Sequence, residues 1–141
     1  MGSSIQILTL DQVGITDQGV EDGTTLQENA LKKAMFVHQH KPNTWAMADD
    51  TGIFIDALDG KPGVHTADWN GGNTETEQIT QWILDQIKDV KDRSATFETV
   101  VAIFSPDGKK YFFDGKVRGK ILKTPRFAIQ PNMPYAPIFQ P

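Results

Sequence analysis

Residues 45–58 read WAMADDTGIFIDAL, and the fold turns on how this stretch is divided. Apolar residues flank Asp49-Asp50-Thr51-Gly52, and Gly tolerates the positive φ of a tight bend. The pattern predicts two extended pieces broken at those four residues, with both acids at a strand end. Upstream, Thr25-x-x-Glu28 has capping-box spacing, and Leu26, Ala30, Ala34 and Val37 recur at helical intervals until Lys41-Pro42. Before that helix, residues 5–10 (IQILTL) alternate as a strand would, and residues 11–23 read as a polar connection.

Downstream, a loop rich in Gly, Pro and Asn occupies residues 59–73. Thr74-x-x-Glu77 then opens a second helix with an apolar stripe of Ile79, Trp82, Ile83, Ile87 and Val90. Residues 95–104 (ATFETVVAIF) and 110–118 (KYFFDGKVR) are rich in β-branched and aromatic types. They flank the turn Ser105-Pro106-Asp107-Gly108, which predicts an antiparallel hairpin. The closing stretch 124–141 carries five prolines and reads as an ordered loop wrapped on the body. The sum is an α/β fold, a mixed β-sheet with flanking helices.

A chain of 141 residues, 38% hydrophobic, fills one core, so residues 1–141 are expected to form a single domain. Met1–Ser4 resembles a leader left by cloning. The formal charge of −4 sets the protein against a nucleic-acid polymer or an anionic membrane surface, while a small metal-chelated anion stays compatible with a local Lys. With no cysteine there is no disulfide, thiolate metal site or cysteine nucleophile. No apolar run approaches the ~20 residues that span a bilayer. The expectation is a soluble, cytoplasmic protein.

The chemistry concentrates on Glu28 and Lys33 of the first helix and on Asp49 and Asp50. Carboxylate oxygens are the hard donors Mg²⁺ prefers, commonly one or two of them completed by water and substrate phosphate. A free carboxylate can orient or deprotonate the attacking water, and a Lys can stabilise oxygens gaining charge. Each residue also has a plainer reading. Glu28 suits a capping box, Asp49-Asp50 suits a turn capping its own backbone, and Lys33 suits a solvated helix face. His38, His40 and His65 are too scattered for a zinc motif. Trp82 reads as core, and the loop aromatics Trp69 and Tyr135 suit either packing or stacking on a base.

Three segments, in order, resemble the Ham1 and inosine triphosphate pyrophosphatase family: EDGTTLQENALKKA (21–34), ADDTGIFIDALDGKPGV (48–64) and PYAPIF (134–139). The hairpin between the last two is similar in length and character. The resemblance implies an α/β fold with a long mixed sheet, a cleft between two lobes and a homodimer. It also implies Mg²⁺-dependent hydrolysis of noncanonical purine nucleoside triphosphates to monophosphate and pyrophosphate. Glu28 and Asp50 would bind metal, Asp50 would be the base, and Lys33 would face phosphate. Asp49, Thr51, Met133 and Tyr135 would contact substrate.

The family's T-x-N-x-x-K and Ser-His-Arg segments have no counterpart here, so the resemblance implies a fold shortened at both ends. Ala136 stands where the family's base loop has an acid. Asp68, in Thr66-Ala67-Asp68, stands where it has Arg, and a reversed charge costs several kcal/mol when desolvated. Two further readings follow: a noncatalytic or engineered fragment that binds nucleotide or a protein partner, and a house-cleaning pyrophosphatase for another nucleotide.

Overall fold

A computed structural model describes residues 4–17 and 19–141; the expectation for residues 1–4 therefore lies, Ser4 apart, outside the described residues. Two helices, α1 (Leu26–His40) and α2 (Thr76–Gln86), accompany five strands: β1 (Ala46–Ile55), β2 (Pro62–Gly63), β3 (Ser94–Phe104), β4 (Lys110–Ile121) and β5 (Phe139–Gln140). They form one sheet in the order β2-β1-β3-β4-β5. The α/β fold expected from the sequence is present. Its sheet is antiparallel, with Ile53 opposite Gly63 across β1 and β2, and Ile121 opposite Phe139 across β4 and β5. The sheet's described strands contain no parallel pair, which is where it differs from the mixed sheet expected.

The chain clusters into two compact units, and the boundary falls inside β1 between Asp50 and Thr51. The first unit holds the described residues up to Asp50 together with Val100–Phe113. Its core is four alanines and one aromatic ring: Ala30 and Ala34 of α1 pack on Ala46 of β1 and on Ala102 and Phe104 of β3. The Leu26, Ala30 and Ala34 stripe is the buried face of α1, as its spacing predicts.

The second unit comprises Thr51–Thr99 and Asp114–Pro141. Ile53 and Ile55 pack with Ile83 and Ile87 of the α2 segment, and with Ile121 and Ile138. Each is essentially fully buried, and such burial stabilises by roughly 1.5–3 kcal/mol per side chain. Arg93 fastens the end of this helix, donating to the carbonyls of Ile87, Ile121 and Leu122.

Three further expectations are corrected. Residues 5–10 form no strand; Ile5 and Ile7 stand 89% and 77% exposed, and the segment closes into a short 3₁₀ turn at Asp11–Val13. Alternation alone does not make a strand without a neighbour to take its N–H and C=O groups. The second correction concerns α2, which starts at Thr76 behind Glu75 with no side-chain cap, so Thr74 is not its N-cap. The third concerns β1, which runs unbroken through Asp49–Gly52. The acids lie in mid-strand, not at a strand end. The hairpin is as expected, with Gly108 at φ 85° donating its N–H to the Ser105 carbonyl.

Candidate active site

Because β1 is continuous, its side chains alternate between faces. Asp50 is buried, 8% exposed, while Asp49 and Thr51 on either side of it are exposed. Alternation thus directs Asp49 and Thr51 away from the face that carries Asp50. This also removes the turn reading of the two acids, since the Asp50 carboxylate is satisfied by a helix and not by its own backbone.

Both of its oxygens have a donor from α1. Lys33 Nζ donates to Oδ1 at 2.9 Å, and Asn29 Nδ2 donates to Oδ2 at 3.2 Å. Lys33 also lies 3.7 Å from Glu21 Oε2. Its side chain is only 25% exposed, so it is an ion-pair partner of Asp50 and not a solvated helix residue. Asn29 and Lys33 share the helical stripe of Leu26, Ala30 and Ala34, three to four residues apart. Asn29 was not singled out from the sequence. The signal was there: a polar residue set into an apolar stripe, where Asn is otherwise a poor helix former.

Glu28 occupies the first turn of α1. Thr25 Oγ1 accepts the Glu28 N–H at 3.1 Å, one arm of the predicted capping box. The reciprocal arm reaches one residue further back, with Glu28 Oε2 accepting from Thr24 N at 2.7 Å and Thr24 Oγ1 at 2.9 Å. These hydrogen bonds from Thr24 hold the Glu28 carboxyl below its ordinary pKa of 4.5. The capping reading of Glu28 is therefore realised.

Among the described residues no three His, Asp or Glu side chains cluster as a metal cage. The donors nevertheless fit Mg²⁺ of the substrate-chelated kind, which takes one or two carboxylates and completes its shell with phosphate and water. Each Asp50 oxygen keeps a lone pair beyond its present donor, and Glu28 is a second carboxylate held ionised.

The second unit contains a cavity of about 780 Å³ whose lining includes Thr51, Phe97, Phe127, Met133, Tyr135 and Phe139. That is within the size range of small-molecule sites, and the lining is mostly apolar and aromatic. Met133, 55% exposed, stands at the surface, whereas Tyr135 is 5% exposed with its ring edge-on to Phe97. Among the described residues the Tyr135 hydroxyl has no hydrogen-bond partner, and burial pushes its pKa up. Thr51 Oγ1 lies 2.8 Å from Thr99 Oγ1. Trp69 packs edge-on against Trp82, so its packing reading is realised. Asp68 is exposed.

The site is thus a buried carboxylate on a sheet strand, with a donor from the neighbouring helix on each oxygen. The chain belongs to the Ham1 family, which it matches over residues 1–141. It is 40% identical over 127 residues to a dITP/XTP pyrophosphatase of Geobacter sulfurreducens, covering 89% of this chain and 63% of that relative. A dITP/XTP pyrophosphatase of Leuconostoc mesenteroides is 36% identical over 137 residues, with 96% and 67% covered. The chain thus spans about two thirds of the length of these relatives. Among solved structures, a nucleoside-triphosphatase / dITP/XTP pyrophosphatase from Mycobacterium abscessus superposes with a TM-score of 0.78 at 32% identity, covering 99% of this chain and 72% of that one. The Staphylococcus aureus Ham1 protein gives 0.77 at 29% identity, with 92% and 66% covered.

Proposed function

We propose that the chain hydrolyses noncanonical purine nucleoside triphosphates to the monophosphate and pyrophosphate, with Mg²⁺. The observation that carries this reading is the buried Asp50 carboxylate, held by one donor on each oxygen, in a family whose similar relatives are named dITP/XTP pyrophosphatases. Glu28 and Asp50 would hold the metal, which supplies neutralisation of phosphate charge when bound. Asp50 orients a water and takes its proton as the oxygen bonds to the α-phosphorus. The bond from that phosphorus to the α,β-bridging oxygen breaks, and its electron pair leaves with pyrophosphate. Lys33, with two donors free of Asp50, stabilises phosphate oxygens as charge grows.

The cavity with Met133 and Tyr135 supports binding of a flat heterocycle, and its apolar character suits a base better than a sugar phosphate. Thr51 lines that cavity, and the exposed Asp49 carboxylate would be a further substrate contact. A homodimer in the cytoplasm belongs to the same reading; light scattering of the purified chain tests the dimer. The test of function is product analysis with inosine, xanthosine and the four ordinary triphosphates. Equal kcat/KM across all bases would remove the base selectivity from the proposal.

A further inference from the structure

We infer that Asn29 is the positioning residue of the Asp50 carboxylate. The inference rests on the proposed role of Asp50 and adds a residue to it. Asn29 is 3% exposed, and each end of its amide has a defined partner. The Gly23 N–H donates to Asn29 Oδ1 at 2.8 Å, while Asn29 Nδ2 donates to Asp50 Oδ2 at 3.2 Å. A backbone N–H can only donate, so the amide oxygen must face Gly23 and the amide nitrogen must face Asp50. That nitrogen can only donate in turn, and its partner must be an acceptor oxygen.

The loop before α1 is thereby tied through one side chain to the acid on β1. The tie is close: a Cβ on Gly23 would lie 2.5 Å from Asn29 Oδ1, so position 23 requires Gly for the backbone to approach. Lys33 alone would not fix the carboxylate. A flexible ammonium on one oxygen leaves the group free to rotate about its χ2, whereas a second donor on the other oxygen sets the plane. With the plane set, the remaining lone pair on each oxygen has a fixed direction, which is what orienting a water requires.

Two variants separate positioning from packing. Asn29→Asp keeps shape and the acceptor for Gly23, and places an acceptor against Asp50 Oδ2; Asn29→Ala removes both links. The expected result with a Mg²⁺-nucleoside triphosphate is a kcat lower by on the order of 10²-fold, with KM within about threefold of wild type. In ¹⁵N-labelled full chain, the Asn29 side-chain amide signal should exchange slowly and shift when Asp50→Asn is introduced. An Asn29→Asp protein with wild-type kcat, or an amide signal that Asp50→Asn does not move, overturns the inference. Should Asn29→Ala fail to fold, Asn29→Asp and the amide signal decide. If the wild-type chain releases no pyrophosphate, the functional reading fails on its own, and the amide signal alone decides whether Asn29 holds Asp50.

Discussion

At the scale of single residues, the ion pair between Lys33 and Asp50 is the contact on which the site depends. Its members sit 17 positions apart in sequence and meet at 2.9 Å with side chains 25% and 10% exposed. Removing one partner of such a pair leaves a charge without compensation, and the cost exceeds the net worth of the pair. Lys33→Met should therefore destabilise the fold by about 1–3 kcal/mol, reduced from the fully buried case because Lys33 keeps some solvent. The double variant Lys33→Met with Asp50→Asn should recover part of that loss in urea unfolding. Strictly additive losses would mean the two side chains do not interact. This scale was half legible in the sequence. Asp50, Glu28 and Lys33 could be singled out as residue types, but the brace from Asn29 arises from contacts 21 residues apart that no local pattern records.

Among the elements, the two helices begin differently. Thr25 caps α1 through its hydroxyl, whereas α2 starts behind Glu75 with no side-chain cap. Thr25→Ala should cost about 1 kcal/mol. Glu75→Ser should instead stabilise by roughly 0.5–1 kcal/mol, and a loss on that change would contradict the assigned start of α2. Glu28 adds a pH dependence to the first helix. Its folded pKa lies below 4.5, so its contribution is fully present above that value and is lost as pH falls through the lowered folded pKa. The gap in Tm between wild type and Glu28→Gln should accordingly be widest above about pH 5 and close in acid. A gap constant across that range would show that the ionised carboxylate is not the stabilising form.

Periodicity located both helices and the hairpin because those patterns are local and repeat. It misplaced the start of α2, since Thr74 and Thr76 both offer plausible chemistry at a helix start. It also read a break into β1, where Asp-Asp-Thr-Gly has the composition of a turn. The structure keeps the strand extended because Asp50 finds its hydrogen bonds on α1. Residues 5–10 misled in the opposite way, with the pattern of a strand and, among the described residues, no strand beside them.

For the molecule as a whole, β1, β3 and β4 each carry the chain from one compact unit into the other. The reading of residues 1–141 as one domain predicts a single unfolding transition, because neither unit can lose its strands alone. Trp45 belongs to the first unit, and Trp69 and Trp82 to the second. Their fluorescence and the far-UV circular dichroism should change together in urea; separated midpoints would describe two domains. Membership of the Ham1 family agrees with the quoted motifs, two of which are centred on the residues that build the site.

The central claim is that Asp50 serves pyrophosphate release from a noncanonical purine nucleoside triphosphate. The most direct test measures monophosphate and pyrophosphate from inosine triphosphate with Mg²⁺, for wild type and Asp50→Asn side by side. The account predicts equal amounts of the two products from the wild-type chain and a rate lower by about 10²-fold or more for the variant. An unchanged rate in Asp50→Asn, or orthophosphate in place of pyrophosphate, would contradict it.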